Sequence, residues 1–197
     1  MKNEKMISMA KTIDTVLKVL KIFGLIGMVI CLLIGVFSAV TGMHGLVSET
    51  FSFGSLHLNL DPSNELTAEF LGKLTAPILF AGALSAWAFV NEINKLRKID
   101  SYMKAGEPFH KEVPGAIRKL GWAVILAGMI SILTSNIASI WTWFLTRSSD
   151  VYSSIIADVS VNVEINLSFI LYAFIIFFLA YVFQYGVQLQ KESDETL

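Results

Sequence analysis

Residues 95–122 read KLRKIDSYMKAGEPFHKEVPGAIRKLGW. This stretch holds seven of the fifteen Lys and Arg residues: Lys95, Arg97, Lys98, Lys104, Lys111, Arg118 and Lys119. Apolar runs without a charge adjoin it, Leu74–Val90 before and Leu120–Leu145 at its end. An uncharged apolar run of this length is the mark of a helix that crosses a bilayer. The charged stretch is therefore read as a loop between two membrane helices. Its charge places it in the cytoplasm, because short cytoplasmic loops carry the excess of Lys and Arg.

Two more apolar runs lie further out, Ile22–Val40 and Leu167–Val187. The first is too long for the apolar core of a cleaved signal, so it is read as an uncleaved span. The predicted spans are about 19–41, 73–94, 119–145 and 166–188, in a single domain covering 1–197. Outer loops occupy 42–72 and 146–165, and the cytoplasmic loop occupies 95–118. Composition agrees: 54% of residues are hydrophobic and 16% charged, against about 25% charged in soluble domains.

Charge elsewhere keeps the same orientation. Five lysines precede the first span: Lys2, Lys5, Lys11, Lys18 and Lys21. Outer loops carry only Lys73 and Arg147, and the tail carries Lys191. Both termini and the central loop are predicted cytoplasmic, in a multi-pass protein of the cell membrane. Formal net charge is −1, so no overall field recruits nucleic acid, and no direct nucleic-acid contact is expected.

Small residues in the spans are read as packing faces, because they let helix backbones approach. In the first span Gly27, Cys31, Gly35 and Ala39 recur every four residues, and in the second Gly82 and Ala86 do so. In the third, Ala123, Ala127, Ser131, Ser135 and Ser139 form the longest such stripe. The expected packing residues are Gly27, Gly35, Gly82, Ala127, Ser131 and Ser135. The fourth span is bulky, and Phe177 is expected to face lipid with most of its neighbours. Pro77 sits near the start of the second span, where a kink is expected. Asp61-Pro62 reads as a helix start, and Gly106 as the glycine that ends the same helix after about Ala105.

The outer loops alternate apolar and polar residues. Leu56-His-Leu-Asn-Leu60 does so, and so do Val159, Val161, Val163 and Ile165 with the polar residues between them. Period-two alternation predicts strands. The fold class expected is an all-α membrane protein: a four-transmembrane-helix bundle with a small extracytoplasmic β-sheet formed by the two outer loops. Residues 51–60 and 158–166 would pair, Val159, Val161 and Val163 would face the helices, and Gly54 would form a bulge or turn.

No nucleophile with a base, no phosphate loop and no paired Cys or His-Glu spacing is present. The sequence therefore predicts no catalytic residue, no metal site, no cofactor and no enzyme. The only cysteine, Cys31, lies within a span. No Asp, Glu, Lys or Arg lies within the apolar runs, which argues against a coupled transporter.

Gly106-Glu107-Pro108-Phe109 is followed closely by Ile117-Arg118-Lys119-Leu120-Gly121. Read physically, Gly106 stops one helix, Pro108 holds Glu107 away from helical geometry, and Phe109 staples the start of the next. The chain ends Val182-Phe-Gln-Tyr-Gly-Val-Gln-Leu-Gln-Lys-Glu-Ser-Asp-Glu-Thr-Leu197. On these two segments and the four-span layout, the chain resembles a bacterial family, domain of unknown function 2975. His110 stands where members carry Ser or Thr, and Glu195 stands where an apolar residue is usual. The resemblance implies a multi-pass membrane protein without an assigned reaction. It also implies a partner, since members are often encoded beside a short helix-turn-helix regulator. Gly106, Glu107, Pro108, Phe109, Arg118, Leu120 and Gly121 are the motif and candidate docking residues. Two functions from different classes stay open. One is a membrane regulatory or signalling protein with a cytoplasmic helix-turn-helix partner. The other is a small permease or an immunity-type protein against a peptide toxin. The lipid bilayer is the one partner the residues themselves require, and a homo-oligomer is compatible with them.

Overall fold

The computed structural model describes residues 2–41, 50–53, 56–60, 65–148, 156–161 and 165–195. Four long helices carry the fold: α1 (Lys2–Thr41), α2 (Glu65–Lys104), α3 (Val113–Ser148) and α4 (Ser168–Glu195). Each contains a segment long and apolar enough to cross a membrane: Ile7–Thr41, Glu69–Lys104, Val113–Leu145 and Ser168–Ser193. The helices overrun the predicted spans, most of all α1, which begins among the N-terminal lysines. A hydrocarbon core of about 30 Å uses only about 20 helical residues. The remaining turns are charged and project beyond it.

Three short strands complete the described elements: β1 (Thr50–Phe53), β2 (Leu56–Leu60) and β3 (Ile156–Val161). They form an antiparallel sheet in the order β1-β2-β3. Phe51 pairs with Leu58, and Leu58 pairs with Val159. The register shifts at Asn59/Leu60, where Leu60 pairs with Ile156 after Asn59 has paired with Asp158. The expected Gly54 turn, the Asp61-Pro62 helix start and the inward facing of Val163 all lie outside the described residues. So do the side chains of Val159 and Val161.

The chain divides into two compact units. The first comprises Met1–Leu25, Trp87–Gly128 and Leu167–Leu197. The second comprises Ile26–Ala86 and Met129–Asn166.

In the second unit α1, α2 and α3 meet through small and hydroxyl residues. Gly35 is buried; a Cβ there would lie 3.3 Å from Leu79 Cβ and 3.7 Å from the Ala76 carbonyl. Gly82 sits 3.6 Å, by the same measure, from Cys31 Sγ. Ser38 Oγ bonds Thr75 Oγ1 at 2.6 Å and the Gly72 carbonyl at 3.2 Å. Ser85 Oγ and Thr134 Oγ1 bond at 2.9 Å between α2 and α3. Apolar burial drives little association inside lipid, so close packing and such bonds carry it.

Pro77 lies inside α2, which runs through it unbroken. Proline has no N–H, so the carbonyl four residues back, on Lys73, loses its helical donor. Trp141 Nε1 of α3 donates to that carbonyl at 2.9 Å. A neighbouring helix thus satisfies the group that proline leaves open, as membrane helices require.

Several expected packing residues fall elsewhere. A Cβ on Gly27 would meet nothing within 4 Å. Ser131 is exposed, while Ala127 and Ser135 are only half-buried. The Ser135 hydroxyl turns back to the Ile132 carbonyl at 3.0 Å. The reason is geometric. Steps of four residues advance about 40° past a full turn, because a turn takes 3.6 residues. A four-step stripe therefore winds off the contact face. Burial in α1 instead follows Ala10, Asp14, Leu17, Lys21, Gly24, Met28, Cys31, Gly35 and Ser38, in alternating steps of four and three.

Candidate functional site

The charged stretch forms a corner between α2 and α3, in the first unit. Gly106 has φ +78°, the left-handed conformation that glycine reaches without strain. The Glu107 N–H bonds the Tyr102 carbonyl at 3.0 Å, and the Gly106 N–H bonds that of Met103 at 3.1 Å. This nested pair is the Schellman ending of a helix. After Pro108 the chain turns back, with the His110 N–H on the Glu107 carbonyl and the Val113 N–H on the His110 carbonyl. His110 Nδ1 accepts the Glu112 N–H at 3.3 Å. It thus does what a Ser or Thr hydroxyl does at a helix start.

Side chains then lock the corner. The Tyr102 ring stacks on His110 with centroids 4.8 Å apart. The Tyr102 hydroxyl donates to Glu112 Oε2 at 2.6 Å, and Lys98 Nζ lies 3.8 Å from the same oxygen. The Tyr102 hydrogen bond, and then the Lys98 charge, hold the Glu112 carboxyl below its usual pKa.

Phe109 does not staple its own helix. Its ring lies over Gly186 of α4, where a Cβ would come within 2.7 Å of it, and is 5.8 Å from the Phe183 ring. Arg118 Nη2 of α3 donates to Gln184 Oε1 of α4. Val113, Ile117 and Ala180 form a buried cluster beneath, with Ile99, Tyr102, Ile176 and Phe183 packed around it. Gly121 is buried under Phe177, whose ring would stand 2.6 Å from a Cβ there. Phe177 also meets Trp122 edge-on at 5.6 Å. It is therefore a contact residue, contrary to the lipid-facing expectation. Phe169 fills the same kind of seat over Gly128. The sequence showed the bulk of the fourth span but not these three glycine seats. Their spacing, seven residues on α3 against eight on α4 for Gly121–Phe177 and Gly128–Phe169, was the available signal for an antiparallel contact.

The motif residues thus divide. Gly106, Glu107 and Pro108 shape the corner. Phe109, Arg118 and Gly121 touch α4, and Leu120 is buried. Between the corner and the end of α4 lies a cleft of about 420 Å³, lined by Phe109, His110, Lys111, Val187, Gln190, Lys191 and Glu195. It has an aromatic floor and a rim of both charge signs.

A second polar group ties α1 to α2. The Asp14 carboxylate receives Lys18 Nζ at 2.9 Å, Arg97 Nε at 2.9 Å and Lys104 Nζ at 3.0 Å. Lys104 also lies 3.4 Å from Asp100 Oδ2. That oxygen is buried and makes no hydrogen bond, so the Lys104 contact is an ion pair with poor directionality. Arg97 and Lys104, both on α2, fix this part of α1 against α2, while Lys18 lies one turn along α1 itself. No charge-pattern argument from sequence alone would have paired Asp14 with Arg97, 83 positions away.

Among the described residues no three of His, Cys, Asp and Glu gather to hold a metal ion. Four apolar helices of spanning length are the construction of a multi-pass membrane protein. No family model matches the chain, and neither does any curated protein or solved structure.

Proposed function

We propose that this chain is a membrane-embedded regulatory protein of the domain of unknown function 2975 family, whose corner at Gly106–Phe109 docks a small cytoplasmic helix-turn-helix regulator. The observation that carries the reading is the meeting of the two segments behind the family resemblance. Phe109 seats on Gly186 beside Phe183, Arg118 bonds Gln184, and the cleft opens alongside. Packing alone needs only the buried cluster. An exposed Phe109 ring beside Lys111, Lys191 and Glu195 suits a partner with one apolar anchor and mixed charge around it. The basic count of the central stretch puts this corner, and both termini, in the cytoplasm. On that orientation the sheet lies outside, where it offers a surface to an external signal.

The test is a pair of alleles in the native host. Deletion of the chain should alter transcription of targets of a co-encoded regulator, and Lys111→Glu with Lys191→Glu should reproduce that change at normal protein abundance. Unchanged transcription, with altered solute uptake or toxin sensitivity, would replace this reading with a permease or immunity protein.

A further inference from the structure

In the first unit, one face of α1 is apolar and open. Met9, Ile13, Val16 and Leu20 are 66%, 49%, 52% and 39% exposed. Phe23 continues them at 67%. Their spacing is four, three, four, three. An apolar repeat of 3.5 residues is the seam of a two-helix coiled coil. The helix runs unbroken from Lys2, and its uncharged apolar run begins only at Ile22. With a span of about 20 residues taken from 19–41, Met9, Ile13 and Val16 fall before it, where lipid tails do not cover them.

The segment cannot roll this face inward. Ala10 and Asp14 are buried and Leu17 is half-buried on another side of the helix, and Arg97 and Lys104 of α2 hold Asp14 there. The open face lies about a quarter-turn round the helix from that contact, by heptad geometry. Nor can it lie flat on the membrane, because α1 has no break at which to bend.

We infer that this face pairs with the same face of a second copy of the chain, as a parallel two-helix coiled coil along residues 9–23. Three observations select that occupant. Two copies in one membrane share an orientation, so their α1 helices run parallel and present like positions to like. The seam and its flanks carry no charge: Ala10, Thr12, Leu17 and Val19 border it. Lys11 and Lys18 lie on the opposite side and are exposed, so a second copy brings no like charges together, while a charged partner finds no complement. The five exposed side chains form one contiguous apolar row, and apolar patches on the order of 300–600 Å² mark interaction sites on monomers. Two such faces bury roughly 600–1,200 Å², toward the lower bound for a specific interface.

The test uses the full chain in membranes, with Cys31→Ser to remove the native thiol. Single cysteines replace Ile13, Val16 and Leu20 on the face, and Lys11 and Thr15 off it. Oxidation should link the first three into dimers and leave the last two monomeric. A second variant, Val16→Glu, should lose the dimer seen by mass measurement in nanodiscs, while Lys11→Glu keeps it. Equal linking at all five positions overturns the inference, since it reports random collision. Absence of dimer at the three face positions also overturns it, as does an adduct to a different protein.

Discussion

Replacing Trp141 with Phe tests the account of Pro77. The indole N–H donates to the Lys73 carbonyl that proline leaves without a helical donor. Phe keeps an aromatic ring in the stack on Phe144, whose centroid is 5.4 Å away, and removes the donor. Hydrogen bonds between membrane helices contribute about 0.6 kcal/mol on average and up to about 1.7. Loss of this one should therefore lower the folded-to-unfolded ratio roughly threefold to fifteenfold, at tenfold for each 1.4 kcal/mol. Loss of ring area adds to the raw effect, so a double-mutant cycle is needed. Pro77→Ala supplies an N–H at position 77 that bonds the Lys73 carbonyl within α2. In that background Trp141→Phe should cost less, by about 0.6–1.7 kcal/mol. The assay is equilibrium unfolding of all four proteins by steric trapping in bicelles. Equal cost of Trp141→Phe in both backgrounds would refute the reasoning, because the bond would then have nothing to do with the proline.

Gly121→Ala should destabilise by about 1–3 kcal/mol, as overpacking does, because Phe177 occupies the space of the new methyl; Phe177→Leu should relieve part of that in the same unfolding assay. Gly27→Ala and Ser131→Leu should be tolerated, since one position is open and the other exposed; losses as large as at Gly121 would mean that another chain covers them. Gly106→Ala should cost about 1–2 kcal/mol, the strain of a left-handed residue with a Cβ, and its thermal midpoint in detergent reads this directly. The corner should also weaken in acid. Glu112 has a folded pKa below its ordinary 4.5, so its contribution is complete above about that pH and fades as pH falls through the folded value. Glu112→Gln should flatten the acid limb of the stability curve, and an unchanged limb would remove Glu112 from the account. Reporters fused after Leu197 or inserted near Gly106 should behave as cytoplasmic, and those near Ser55 or Ser153 as external; a reversed pattern overturns the orientation.

Sequence alone determined what depends on the solvent. Uninterrupted apolar runs specify helices of spanning length, because lipid offers no partner for an open backbone. Gly106 and Pro108 specify the corner, because only local backbone geometry is involved. Alternation at Leu56–Leu60 and around Val159 marks extended chain for the same local reason. Tertiary structure decided what depends on which faces meet. Gly35 and Gly82 lie at contacts, and Gly27 and Ser131 do not, because every apolar residue of a membrane helix is compatible with either lipid or protein. Phe177 looked like a lipid-facing residue and is a knob over Gly121. Phe109 looked local and seats on Gly186, 77 residues away in the chain. Asp14 carried no sign of a partner until α2 placed Arg97 and Lys104 around it. In each case the deciding quantity is the rotation of one helix against another. Hydropathy is nearly the same all round these helices, so it leaves that rotation open, and small seats, freed carbonyls and ion pairs set it.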